Sequence, residues 1–314
     1  MNRRNFIKFS AVGFASSAVA EDLASVDSRN LDSPNADSTK IMSIIDLDLC
    51  DGCKGLETPL CVSACKEKNK ANFPQPTHPI MDYFPQTKHE DYSKNKEDIT
   101  RLTPYNWTYV ESVKVANREV FVPRRCMHCD NPPCQKLYPF GVISKSKEGA
   151  VDIDKDFCFG GAKCRDACPW EIPQRQAGVG IYLKTAPKLA GGGVMYECDM
   201  RKDLLERGEK PVCEVKCPKN AIKFGKESEI LERIKHDKRH IYRLEENGRT
   251  VSVYISSIKF EDINKAILEK YNNKPKMGRP HMEKVRNPLE KSANLALAVT
   301  IAPFAACLER ALRR

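Results

Sequence analysis

Residues 126 to 134 read Cys126-Met127-His128-Cys129-Asp130-Asn131-Pro132-Pro133-Cys134. Three further cysteine bunches keep the same rhythm. Cys50-x2-Cys53-x7-Cys61-x3-Cys65 lies before it; Cys158-x5-Cys164-x3-Cys168 and Cys198-x14-Cys213-x3-Cys217 follow. Together the four runs use thirteen of the chain's fourteen cysteines, and Cys168 and Cys217 are each followed by proline. A short loop that wraps three thiolates round one face of a metal core, then a turn that carries a fourth away, accounts for such a repeat.

Iron–sulfur proteins write this run as Cys-x2-Cys-x2-Cys-x3-Cys-Pro, with the fourth thiolate serving the neighbouring cluster. Paired Cys-x2-Cys units also build structural zinc sites, but a zinc knuckle has no need of the Cys-x3-Cys-Pro ending. Structural disulfides would not reproduce the spacing in every bunch. The chemistry expected is one-electron transfer. No run reads Cys-x2-Cys-His, so covalent c-type haem is not indicated.

The rest of the composition fits this reading. Apolar residues make up 41% and aromatics 8% of 314 residues, a modest supply that leaves metal–thiolate bonds to provide part of the folding energy. The net charge of +10 is spread along the chain without an aromatic-interleaved basic run, so no nucleic-acid partner is expected.

Residues 1–20 have the parts of a twin-arginine signal peptide: Arg3-Arg4, an apolar stretch from Phe9, and Ala18-Val19-Ala20 before Glu21. Residues 21–40 read as a linker rich in Asp, Ser and Asn. Residues 72–116 read as a proline- and charge-rich insertion, with Trp107 and Tyr109 as packing residues. Thr250 to Ile258 alternates like a strand, and Phe260 to Tyr271 has helical spacing. Residues 226–290 are expected to serve as scaffold or docking segment. Residues 291–314 carry an apolar tail ending in arginines, a marginal length for a membrane anchor.

From Ile41 to about Phe224 the chain resembles the four-cluster iron–sulfur subunits of bacterial respiratory oxidoreductases, including those of dimethyl-sulfoxide reductase. The twin-arginine start and apolar tail look most like the hydrogenase 2 type. The resemblance implies an α+β fold of two pseudo-symmetric ferredoxin-like lobes, 41–71 with 190–225 and 117–189. It implies a periplasmic wire, exported folded and held at the inner membrane. The partners implied are a catalytic subunit (hydrogenase, molybdopterin enzyme or multihaem cytochrome) and an integral membrane quinone-reactive subunit.

The resemblance also implies a pairing of runs, first with fourth and second with third. Site one then takes Cys50, Cys53, Cys61 and Cys217, and site two takes Cys126, Cys129, Cys134 and Cys168, each a 4Fe-4S site. Site three keeps only Cys65, Cys198 and Cys213, because Arg201 stands at a ligand position; a 3Fe-4S cluster, or a 4Fe-4S cluster with a foreign ligand, is expected there. Site four keeps Cys158 and Cys164, with Tyr138 and Gly161 at ligand positions. It is expected to be an empty remnant whose volume Tyr138 and Gly161 fill. Arg201, beside site three, is expected to raise that cluster's potential. The other readings are a catalytic enzyme with an open cluster iron and an assembly protein with vestigial clusters.

Overall fold

Strand Ile41–Asp46 (β1) is buried almost end to end, as a strand covered on both faces must be. The computed structural model describes residues 39–76, 80, 90–137, 141–185, 193–243, 249–275 and 277–283. The twin-arginine segment, the apolar tail and Tyr138 lie outside the described residues. After β1 come helix α1 (Leu60–Asn69), a 3-10 turn (Lys70–Asn72), β2 (Tyr109–Val115), β3 (Arg118–Arg124), α2 (Pro133–Lys136), β4 (Ile143–Lys145) and β5 (Val151–Ile153). Then follow α3 (Lys163–Ala167), β6 (Gln174–Gln176), α4 (Tyr182–Thr185), β7 (Val194–Tyr196), α5 (Lys202–Leu205) and α6 (Val212–Val215). The order closes with β8 (Ile222–Lys226), α7 (Glu227–His236), β9 (His240–Tyr242), β10 (Ser252–Ser256) and α8 (Phe260–Lys270).

The mixture of small sheets and short helices is α+β. The largest sheet runs β8-β1-β10-β9, with β1 antiparallel to β8 and parallel to β10. The other strands pair as β2-β3, β4-β5 and β6-β7. The β1-β8 pair therefore brings the start of run one to the end of run four. The β4-β5 hairpin joins run two to run three, and β6-β7 joins run three to run four.

The segment after run four is not peripheral. Val253, Tyr254 and Ile255 of β10 are fully buried and lie beside β1 in register, Ile44 opposite Val253. Two amphipathic helices cover the sheet region. In α7, Ile230 and Ile234 sit one turn apart and join Met42, Ile44 and Val253 in a core cluster. Its first turn is acidic and its last basic, which suits the helix dipole. In α8 the buried residues Phe260, Ile263 and Ile267 form the apolar stripe. Each such side chain removed from water contributes about 1.5–3 kcal/mol. The β2-β3 hairpin turns at Ala116 and Asn117, so the boundary drawn at residue 116 divides one structural unit. Trp107 and Tyr109 are buried in the core beside it. Among the described residues, no helix is long and apolar enough to cross a membrane.

Candidate metal centres

The four runs fold into one local design. The third residue of each, Gly52, His128, Gly160 and Met200, has a positive φ. This left-handed turn aims the amide of that residue back at the first cysteine. His128 N donates to Cys126 Sγ at 3.4 Å and Met200 N to Cys198 Sγ at 3.4 Å. Gly52 and Gly160 do the same for Cys50 and Cys158. Two of these positions need glycine for space as well as for φ. A Cβ on Gly52 would fall 2.2 Å from the Phe121 ring, and one on Gly160 would fall 2.4 Å from the Gly193 carbonyl.

The fourth residue matters more. Cys53 has φ +54° and Arg201 has φ +56°. The ligand turn thus survives in run four although the ligand is gone.

Past each turn a helix begins and carries the next thiols. Pro59, Pro132 and Pro211 stand at the N-caps of α1, α2 and α6, where fixed φ and a missing N–H do no harm. Cys61 and Cys65 ride on α1, one turn apart; Cys134, Cys164 and Cys213 open α2, α3 and α6. The closing cysteines Cys168 and Cys217 accept amides from residues further on, Ala221 N at 3.3 Å for Cys217 and Ile172 N among those for Cys168.

The thiols gather as follows. Cys50, Cys53, Cys61 and Cys217 line one small, largely filled pocket together with Pro59 and Pro218. Cys65 is influenced by Cys198 and Cys213. Cys129 and Cys134 are influenced by Cys168, and Cys126 by Cys134 and Cys129. Cys164 is influenced by Cys158. Neighbouring groups also act on one another. Cys61 feels Cys213, and Cys134 and Cys164 feel each other's group. Arg125, which precedes Cys126, bonds Cys213. The groups therefore lie in the order one, three, two, four.

Burial is the first cause of the upward shift at each affected thiol. It pushes Cys50, Cys168 and Cys198 up to about 12, and holds Cys65, Cys126 and Cys164 well above the usual thiol range. Neighbouring thiolates add to this at Cys50, Cys65, Cys126 and Cys164. Such a set ionises only when a cationic core arrives to balance it. Among the described residues, no three His, Cys, Asp or Glu side chains converge on a point that could hold a single ion. Zinc would need its thiolates within about 2.3 Å of one centre. The all-thiol donor sets of sites one and two, four cysteines each, are those an iron–sulfur core takes.

The polar surroundings of site three hold two residues the sequence reading passed over. Arg125 donates from Nη1 to Cys213 Sγ at 3.2 Å, and Asn69 donates from Nδ2 to Cys65 Sγ at 3.5 Å. Position alone hinted at both: one adjoins Cys126, the other lies one helical turn beyond Cys65. Arg201 differs from expectation. Its guanidinium bonds Asn69 Oδ1 and Asp203 Oδ2, each at 2.6 Å, with Asp199 at 3.8 Å. Its charge is spent on carboxylates, and it reaches the thiols only by steadying Asn69.

Glu197 is a third missed residue. Its carboxyl is buried, which together with Asp152 pushes it up to about 8. It raises Cys126, Cys129, Cys134, Cys164 and Cys168 in turn. His128, between two cysteines of run two, is fully buried. Its Nδ1 accepts the Val151 amide at 3.0 Å, and burial followed by the Arg125 and Lys145 charges keeps it neutral.

Gly161 does not fill a former cluster volume. It is exposed, and a Cβ there would meet nothing within 4 Å. Gly161→Cys therefore restores a thiol at the ligand position beside Cys158 and Cys164 in the sequence without a clash. Anaerobic preparations of this variant are expected to carry about three or four more irons per chain than the parent. Equal iron content would show that site four is closed by something other than its missing thiol.

Residues 117–227 match the family model of the 4Fe-4S dicluster domain. The chain is 28% identical over 245 residues to hydrogenase-2 operon protein HybA of Escherichia coli O157:H7, covering 74% of this chain and 64% of that protein. It is 29% identical over 193 residues to one component of the anaerobic dimethyl sulfoxide reductase of Escherichia coli K12, covering 62% of this chain and 77% of that component. With a component of the sulfite dehydrogenase of Allochromatium vinosum it shares 31% over 195 residues, covering 60% of this chain and 69% of the relative. The chain thus spans about two-thirds of the length of the relatives that match it, and slightly less for the HybA protein.

Proposed function

Because the chain belongs to the ferredoxin-type iron–sulfur electron-transfer subunits of bacterial oxidoreductases, we propose that it relays electrons along a shortened row of clusters within a membrane-associated respiratory complex. Iron–sulfur clusters supply the one-electron chemistry when bound. Cys50, Cys53, Cys61 and Cys217 would hold one 4Fe-4S cluster; Cys126, Cys129, Cys134 and Cys168 would hold another. Cys65, Cys198 and Cys213 would hold a three-iron cluster, and Cys158 with Cys164 is a remnant. On this reading β1-β8 and β4-β5 mark the two ferredoxin-like lobes.

The observation that carries the proposal is the order of the thiol groups. Site one acts electrostatically on site three, Arg125 ties site three to the start of site two, and site two acts on the depleted group, which is thus coupled to one neighbour alone. Losing a terminal station shortens a wire without cutting it. At the opposite end, Cys50, Cys53 and Cys217 are half-exposed. Leu49, Leu56 and Val215, close to them in sequence, are 46%, 53% and 63% exposed. Apolar side chains left in water beside a redox centre suit a surface that a partner covers.

The protein's own residues bind, bury and bias the clusters. The turn amides and the i+4 amides donate to thiolate sulfur, which favours the more negative, reduced state. Burial opposes it. The proposed location is the periplasm, reached through Arg3-Arg4, next to a catalytic subunit and a quinone-reactive membrane subunit. Replacing both arginines with lysine is expected to keep the protein in the cytoplasm, as fractionation would read.

Anaerobic protein adsorbed on an electrode tests the relay reading. Reversible one-electron waves are expected, with no catalytic current when hydrogen, dimethyl sulfoxide or sulfite is added. A catalytic current from this chain alone would favour the enzyme reading instead.

A further inference from the structure

Arg125 directly follows β3 and is fully enclosed, with 2% of its surface exposed. A guanidinium cannot shed its charge, and burying it without a counter-ion is costly. Among the described residues, no carboxylate pairs with it. Nη2 donates to Ser43 Oγ at 2.8 Å, and Ser43 bonds Ser252 across the β1-β10 pair at 3.2 Å. The plane lies 4.8 Å from the Phe224 ring centre, and Nε has no hydrogen-bond partner. What remains is Nη1 on Cys213 Sγ at 3.2 Å. Cys213 and then Cys198 are the charges that act on this arginine most strongly. The nearest compensation the fold offers is thus the thiolate set of site three.

Contrast with Arg201 sharpens the point. Arg201 sits in the ligand turn itself, yet it is matched by Asp203 and Asp199. Arg125 comes from another run, is tied to β1 through Ser43, and among the described residues has no carboxylate, so the anionic partner it meets is sulfur. Its backbone leads directly into Cys126 of site two. One buried cation therefore stands where sites two and three meet.

We propose that Arg125 is the built-in counter-charge of the site-three cluster, fixing its potential above that of its two neighbours, so that the middle station of the row is where an electron rests. The step concerned is the gain of one electron from an adjacent cluster and its loss to the other, with no bond made or broken. A fixed positive charge in contact with a ligand sulfur favours the reduced cluster, and low surrounding dielectric keeps that effect large. The inference rests on the reading that Cys65, Cys198 and Cys213 hold a cluster.

The test is an anaerobic redox titration of the full chain, followed through the EPR signal of the oxidised three-iron cluster, in the parent, Arg125→Gln, Arg125→Lys and Arg201→Gln. Gln keeps a donor for sulfur but loses the charge. At fixed potential its reduced-to-oxidised ratio should fall at least tenfold, a shift of about 59 mV for a one-electron couple. Lys keeps the charge and should stay near the parent. Arg201→Gln should move the midpoint less than Arg125→Gln does. An unmoved Gln variant overturns the proposal, as does a Lys variant displaced as far as Gln or a larger shift from Arg201→Gln. If Gln assembles no site-three cluster, Lys decides. A parent-like Lys signal supports the counter-charge, and loss of the cluster in both variants overturns it. A parent protein with no oxidised signal overturns the cluster reading along with it, whereas a signal indifferent to Arg125 overturns this inference alone.

Discussion

Stripping iron from the anaerobic protein with a chelator is expected to abolish its fixed tertiary structure. The reason lies in how little holds the ligand region besides metal. Helices α2, α3 and α6 have four, five and four residues, far below the length at which a helix persists unaided. The β4-β5 and β6-β7 pairs are three residues long per strand, too short to be stable alone. Their shared anchor is a set of buried thiols that repel one another once ionised. Structural zinc in small peptides supplies about 10–16 kcal/mol of apparent folding energy. A whole domain is typically stable by about 5–15 kcal/mol. Losing several multi-iron cores therefore exceeds what the remaining contacts contribute. The sheet β8-β1-β10-β9 with α7 keeps an apolar cluster of its own and should retain partial protection. Near-ultraviolet circular dichroism and hydrogen exchange would read the outcome. An apo chain whose melting midpoint stays within a few degrees of the loaded protein would show that the fold is self-sufficient.

Arg201→Cys is expected to convert the three-thiolate site into a four-iron one. The backbone is already in place: Arg201 and Cys53 share the left-handed conformation at the same position of the same turn. A cysteine at 201 should project its sulfur as Cys53 does. The substitution frees Asn69 Oδ1, removes the cation beside Asp199, and leaves Asp203 with Arg207 at 3.9 Å. That loss costs about 1–3 kcal/mol, small beside the bonds gained. The expected signature is loss of the oxidised three-iron EPR signal and a gain of about one iron per chain. Retention of the signal with unchanged iron would mean that the fourth corner is closed in some other way.

Much of this was legible in the cysteine spacing. The turns and short helices that follow each first cysteine were foreshadowed by the spacing, whereas the pairing of runs came from the resemblance and remains a proposal. The strand at Ser252–Ser256 and the helix at Phe260–Lys270 also announced themselves through period. What spacing could not convey is which distant side chain leans on which sulfur. Arg125 reaches Cys213 across 88 positions, and Arg201 reaches Asn69 across 132. Proximity in sequence pointed to Arg201 beside site three; packing pairs Arg201 with carboxylates and sets Arg125 against Cys213. Likewise Gly161 looked like a space filler, but its surroundings are open. The place of β10 beside β1 was hidden for a related reason. Nothing local to Ser252–Ser256 says that it will pair in parallel with a strand some two hundred residues earlier.

The central claim, a shortened row of two cubes and one three-iron cluster, is tested most directly by iron and acid-labile sulfide analysis of anaerobic protein, coupled to EPR of the oxidised form. The expected result is about eleven irons per chain, with one oxidised three-iron signal. About sixteen irons and an EPR-silent oxidised state would instead mean four complete cubes, and zinc in place of iron would contradict the electron-transfer role altogether.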